Sequence, residues 1–416
     1  MTSRRAFVKS SALAMFGMGA APAWLARSVY AAEGPARRKK ILVAIFQRGA
    51  VDGLNVVVPY GEKSYYDLRP SIAIPRPDGS PNSTPNSAVD LDGFFGLHPS
   101  LAPLKPLYEA QHLAIVEAVG SPDPTRSHFD AQDYMESGTP GLKATSDGWL
   151  NRALLKDTVK SSPVRAISLG PNLARTLRGK NDAVAINNLN DFQIRDTRSS
   201  DTFESMYSNS LDTMLHGTGK ETFDAIKMIQ SIQKRPYLPA NSAKYPNGVF
   251  GQNLQQIARL IKADVGLEVA FADIGGWDTH VNQSAQTPAQ GQLANRLADF
   301  GQALAAFHQD LGDRMQDIVV VTMSEFGRTA RENGNRGTDH GHANAMFVLG
   351  GDVRGGKVYG DWPGLQKEQL YEGRDLNLTT DFRDVLGELV SRHLGNTNLS
   401  GVFPGYTEPK FRGLLG

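Results

Sequence analysis

The sequence predicts an α/β fold, a three-layer α/β/α domain around a mainly parallel central sheet, on two observations. Short apolar runs recur at 41–46, 113–116, 267–271, 318–321 and 345–349, and runs of that length suit strands covered on both faces. Segments with apolar residues at helical spacing lie between several of them, at 101–110 and 292–311, and another follows the last run at 381–394. Strands alternating with amphipathic helices make a layered domain rather than a sandwich or a bundle.

Taken in order, the chain opens with Arg4-Arg5 in a polar run, then a moderately apolar stretch from Ser10 to Leu25, then Val29-Tyr30-Ala31. That order is expected of a twin-arginine export signal at residues 1–31, cleaved after Ala31. The apolar stretch is shorter than the roughly 20 residues of a membrane span, so no stable span is expected. A periplasmic or extracellular location follows, with the twin-arginine translocase as a partner during export. Residues 32–416 are then one domain. Two stretches break the alternation: the Pro, Ser and Asn-rich 70–89, expected to be a surface loop, and the polar, helix-prone region at about 189–248, expected to be an inserted helical cap.

The chain has 44 basic and 43 acidic residues; without Arg4, Arg5, Lys9 and Arg27 the basic residues would number 40. A near-balanced chain with one short basic block, Arg37-Arg38-Lys39-Lys40, excludes a nucleic-acid binder on electrostatic grounds. Cysteine is absent, so any metal must be held by His, Asp, Glu or hydroxyl oxygens.

Ligands gather beyond the carboxyl ends of strands in open α/β sheets, and the segments there are rich in metal-ligand types. Asp52-Gly53-Leu54-Asn55 follows the first run, Thr125-Arg126-Ser127-His128 the second, Trp277-Asp278-Thr279-His280 the third and Ser324-Glu325-Phe326-Gly327-Arg328 the fourth. Asp339-His340-Gly341-His342 precedes the fifth, so four histidines, His128, His280, His340 and His342, fall in these short segments. Asp278-x-His280 and Asp339-His340-x-His342 have the spacing that lets side chains of one extended loop converge on an ion, and carboxylate with imidazole suits Zn²⁺, Mn²⁺ or Fe better than Ca²⁺. A single such pair is more often a loop hydrogen bond; their joint placement near strand ends is what raises the metal reading. Ser127 and Thr125 flank Arg126: a hydroxyl near a divalent ion is a competent nucleophile, and an arginine can neutralise a phosphoryl or sulfuryl oxygen. Equally, Ser127 could cap a helix over 129–136, and Arg328 could be a carboxylate's structural partner.

With these motifs the sequence resembles a functionally uncharacterised family of twin-arginine-exported bacterial proteins, over essentially the whole mature chain. That family is in turn similar to the alkaline phosphatase and sulfatase superfamily. The resemblance implies an alkaline phosphatase-like fold and one or two divalent ions, Zn or Mn foremost. It implies Asp52, Asp278, His280, Glu325, Asp339, His340 and His342 as metal ligands, with Glu325 in the place of the superfamily's usual Asp. Ser127 is the first candidate nucleophile and Thr125 the second, with Arg126 and Arg328 balancing charge. A sulfatase relying on a nucleophile made from cysteine is excluded, since Pro122 stands at the matching position. The implied activity is hydrolysis of a phosphate, phosphonate or sulfate ester, small or polymeric; the alternative is a secreted metal-binding scaffold or glycan- or envelope-binding protein of the same fold without catalysis.

Overall fold

The computed structural model describes residues 39–77, 86–143, 145–155, 161–189, 225–234 and 236–416. The export signal at 1–31 and most of the 189–248 insertion lie outside the described residues, as does the middle of the 70–89 loop.

Twelve strands are described: β1 (Ile41–Arg48), β2 (Val57–Val58), β3 (Val89–Asp90), β4 (Gly96–Leu97), β5 (Leu113–Gly120), β6 (Ala166–Leu169), β7 (Val184–Ile186), β8 (Val269–Gly275), β9 (Ile318–Ser324), β10 (Asn344–Gly350), β11 (Lys357–Tyr359) and β12 (Thr380–Asp381). The central sheet runs β11-β5-β10-β9-β1-β8-β6-β7, with β12 continuing alongside β5. β1 pairs parallel with β8 and β9 over seven residues on each side, and β10 is antiparallel to both β9 and β5. The sheet is therefore mainly parallel, as the apolar runs predict. β2, β4 and β3 form a separate small antiparallel sheet.

The period-2 alternation of each strand builds the three layers. Ile41, Val43 and Ile45 of β1 pack on one face with Phe250, Leu254 and Ile257 of the helix Val249–Lys262 and Leu297, Phe300 and Leu304 of the helix Gln292–Leu311. Leu42, Ala44 and Phe46 point to the other face, against Met135 of the helix His128–Ser137, Trp149 and Leu150, and Phe382, Val385 and Leu386 of the helix Phe382–Glu388. Each face removes a continuous apolar surface from water, the dominant favourable term in folding. In the 225–248 part of the expected cap, residues 225–233 are helical, and Ala225, Ile229 and Ile232 join the first of these cores.

The topology brings one set of loops to one edge. β1, β5, β8 and β9 all end there, and because β10 runs the other way, the residues just before it arrive there too.

Candidate metal centre

Two close approaches hold the loops at this edge. Gly49, directly after β1, has φ +115°, and a Cβ there would stand 2.9 Å from the backbone nitrogen of Asp278. Only glycine fits. A Cβ on Gly327 would fall 1.8 Å from the carbonyl oxygen of Ala343, so this position lets the loop after β9 lie against the start of β10. Trp277 anchors the loop after β8: its buried indole donates to the carbonyl of Ile274 at 2.8 Å and meets Phe300 edge-on.

On this frame three imidazoles and one carboxylate converge. Nε2 of His340 lies 3.0 Å from Nε2 of His128, 3.0 Å from Nε2 of His280 and 3.2 Å from Oδ1 of Asp278. Nε2 of His280 is 3.0 Å from Oδ1 of Asp278, and Nε2 of His128 is 3.5 Å from Oδ2. His128, Asp278 and His340 each place one ligand atom within 4.8 Å of the others. Phe326, buried, packs against the rings of His128 and His340 with centroids 5.0 Å away.

The other nitrogen of each ring is fixed by an acceptor. Nδ1 of His128 is 2.8 Å from Oε1 of Glu325, Nδ1 of His280 is 3.0 Å from Oδ1 of Asp339, and Nδ1 of His340 is 3.0 Å from the carbonyl oxygen of Arg126. A carboxylate or carbonyl only accepts, so each Nδ1 carries a proton and each neutral ring turns its Nε2 lone pair inward. Lone pairs facing each other at 3.0 Å repel unless a proton or a metal cation lies among them. Ligands of a tetrahedral zinc with Zn–N bonds of about 2.0–2.1 Å stand about 3.3 Å apart, the range found here. His128, Asp278 and His340 thus fit a divalent ion, with His280 joining them through its contacts to His340 and Asp278, and the ring–acceptor pairs are the supports that orient metal-binding histidines.

The electrostatics agree. The hydrogen bond to Glu325 raises the pKa of His128, whereas burial lowers that of His340. Burial alone would raise the pKa of Asp278, but the buried guanidinium of Arg328, donating at 2.7 Å, outweighs it and keeps the carboxylate ionised. Burial opposes ionisation of Glu325 as well, and the hydrogen bonds of His128, Gln132 and Gly49 to its Oε1 overcome it.

Several expectations need correcting. Asp52 is not in the group of mutually close ligand atoms: Oδ2 accepts from Arg69 at 2.7 Å and from Gln283 at 2.6 Å, and Oδ1 accepts from Arg69 at 2.9 Å, all buried. Both oxygens are committed to a structural ion pair. His342 also stands apart, stacked on Tyr371 with centroids 4.5 Å away. Glu325 and Asp339 sit behind His128 and His280 as their acceptors rather than in the ring of inward-facing donors. Arg126, named as a charge-balancing group, donates to Asp375 at 2.6 Å and Glu372 at 2.8 Å, and what it gives the ring is its backbone carbonyl. Arg328 is likewise a carboxylate partner, held by Asp278 and Thr338. Ser127 occupies the N-cap position of the helix His128–Ser137 without a side-chain cap hydrogen bond, and Oγ1 of Thr125 accepts from its backbone N–H at 3.3 Å.

His128 was missing from the expected ligands. Its place in the strand-end segments was visible in the sequence, but its seat at a helix start gave no sign that the ring turns inward. Gln132, one turn on, joins the support: its Nε2 donates to Glu325 at 2.9 Å while Arg48 donates to its Oε1 at 3.0 Å, which fixes the amide's orientation.

A family model described as "Protein of unknown function (DUF1501)" matches residues 107–402. The chain belongs to that family. The match spans β5 to the helix Leu399–Val402 and so includes every donor of the ring. No curated protein matches. Among solved structures, this chain is similar to the PsFucS1 sulfatase from Pseudoalteromonas sp., at 11% identity and TM-score 0.38, covering 99% of this chain and 78% of that one. The C-terminal periplasmic domain of EcEptC from Escherichia coli, solved in complex with Zn, is similar at 9% identity and TM-score 0.34, covering 76% and 73%. A protein in the alkaline phosphatase superfamily from Vibrio parahaemolyticus is similar at 11% identity and TM-score 0.31 over 78% of this chain, which spans 63% of that protein's length, less than two thirds. At such scores the likeness carries no weight for chemistry; the α/β layering and the ring of donors are read from this chain's own residues. No helix among the described residues is long and apolar enough to cross a membrane.

Proposed function

We propose that this DUF1501 protein is an exported, metal-dependent hydrolase of phosphate, phosphonate or sulfate esters. The observation that carries the reading is the convergence of the Nε2 atoms of His128, His280 and His340 with the carboxylate of Asp278, each ring locked from behind by an acceptor. Three nitrogens and one oxygen favour Zn²⁺, with Mn²⁺ second. When bound, such an ion supplies Lewis-acid polarisation of the ester and stabilises developing negative charge.

The chain's own residues do the remainder. Glu325, Asp339 and the carbonyl of Arg126 keep the three rings in one tautomer and orientation. Arg328 keeps Asp278 ionised. The ten-residue helix His128–Ser137 begins beside the ring with no cap bond from Ser127, so its first-turn N–H groups and dipole face an incoming anion. Ser127, half-buried at that N-terminus, is the proposed nucleophile, with Thr125 or water as the alternative. The Arg4-Arg5 signal motif supports export by the twin-arginine route to the periplasm or beyond.

A panel of nitrophenyl phosphate, phosphodiester and sulfate esters, with and without added Zn²⁺ or Mn²⁺, tests the reading. Metal-dependent hydrolysis that is abolished in His280→Ala supports it, and loss in Ser127→Ala adds the nucleophile. Metal-loaded protein inert towards every ester would favour the non-catalytic scaffold.

A further inference from the structure

Six large hydrophobic side chains stand exposed among the described residues: Phe129, Leu142, Leu155, Leu238, Val249 and Val281. Two of the six directly follow a histidine of the ring, Phe129 after His128 and Val281 after His280. Single apolar residues scattered over a surface are ordinary, but a phenylalanine that is 91% exposed forgoes the burial its ring usually finds, and here it does so beside the donors.

The backbone ties both positions to the ring. Consecutive Cα atoms are about 3.8 Å apart, so Phe129 and Val281 each start one residue from a side chain whose Nε2 lies 3.0 Å from that of His340. Phe129 is the second residue of the helix His128–Ser137. Every Cα–Cβ bond of a helix tilts towards the N-terminus, so that of Phe129 tilts towards Ser127 and the helix end where the donors meet. The ring is open to solvent on the side of Asp278 and His280, whose side chains are 43% and 40% exposed, and Val281 adjoins that side. An ester that places its scissile group at the ring therefore brings its next substituent to a rim made of carbon.

We infer that Phe129, with Val281, selects esters whose leaving group is an aryl ring. The inference rests on the hydrolase reading for the scissile group and adds the substituent beyond it. An aromatic face is what an exposed phenylalanine recognises best, by stacking or edge-on contact on top of the apolar area removed from water.

The experiment measures binding of phenylphosphonate and methylphosphonate to the zinc-loaded mature protein by calorimetry; the two share an anionic head that is not hydrolysed and differ in the substituent. Phenylphosphonate is expected to bind about five- to tenfold more tightly. Phe129→Ala should bring the two within about twofold of each other by weakening phenylphosphonate alone, with Phe129→Leu between and Val281→Ser a smaller step in the same direction. Because Phe129 is so exposed, Phe129→Ala should leave the melting temperature unchanged. Leu238→Ala serves as the control: Leu238 is equally solvent-facing, but it follows Tyr237, whose hydroxyl donates to Asp310 at the end of the helix Gln292–Leu311 that leads to the start of β9, away from the ring. Equal binding of the two phosphonates by the wild type, no binding of either, or a preference that survives Phe129→Ala would each overturn the inference. Equal binding by a protein that still hydrolyses nitrophenyl esters would leave the hydrolase reading standing, whereas a Phe129-dependent preference in a protein that hydrolyses none would overturn that reading and leave the rim as a binding site.

Discussion

Asp52 and Asp278 each follow a strand of the central sheet at the same edge, yet their surroundings differ in kind. Around Asp52 the carboxylate is saturated: Arg69 and Gln283 fill both oxygens, Tyr65 donates to Asn55 at 2.7 Å, and Arg69 donates to the same Asn55 oxygen at 2.7 Å. The region is closed to solvent. Around Asp278 the side chain is 43% exposed and three nitrogen lone pairs face one another. A buried ion pair whose carboxylate is saturated is a device of folding, whereas imidazole nitrogens converging beside an exposed carboxylate can share a cation. The difference teaches that the partners of a carboxylate, more than its position after a strand, decide whether it can be a ligand.

The largest effect that would break this contrast comes from the closed region. Arg69→Met leaves Asp52 buried without its counter-charge, and a loss of roughly 3–5 kcal/mol is expected, measured by denaturant unfolding. Metal binding by the fraction that remains folded should persist. A protein that tolerates the change but loses its metal would put Asp52 among the ligands after all.

The open region should respond in the opposite way. His340→Ala removes the nitrogen that contacts all three other donors; metal affinity should fall more than 100-fold while unfolding shifts by about 1 kcal/mol or less. Gln132→Leu acts one layer further back, through Glu325 and His128, and should lower metal affinity about 10- to 100-fold with little change in melting temperature. Unchanged affinity in Gln132→Leu would reduce Gln132 to packing.

Which parts of this could be read in advance follows from where each signal lies. β1, β5, β8, β9 and β10 were legible because a strand covered on both faces is an apolar run, and 292–311 because its apolar stripe repeats every three to four residues. β6 and β7, at four and three residues, are too short to stand out from loops. The helix Val249–Lys262 was less legible because it runs straight on from the polar insertion and its stripe of Leu254, Ile257 and Ile261 is set among Gln252, Asn253, Gln255 and Gln256. In the site, Asp278, His280 and His340 share short motifs and could be named together. Asp52 could not be separated from them, since Arg69 lies 17 residues on and Gln283 lies 231 away. His342, two residues from His340, would share its face in a regular extended segment, and it is stacking on Tyr371, which the sequence does not show, that takes its ring elsewhere.

A smaller effect concerns acid. Burial holds the pKa of His98, next to Asp52, down at about 3, and burial with neighbouring His112 holds that of His308 at about 4. Both rings are neutral when folded and bind protons more readily unfolded. Stability should therefore be flat above about pH 6.5 and fall as pH drops from there towards 4. In His308→Gln that slope should be shallower over the same range; an unchanged slope would move the acid sensitivity elsewhere.

The most direct test is elemental analysis of mature protein purified without chelator, followed by titration of the metal-free form with Zn²⁺. Near-stoichiometric zinc or manganese, absent from His128→Ala and retained in a folded Asp52→Asn, is the expected result. A folded wild-type protein that carries no divalent metal and takes up none would contradict the account.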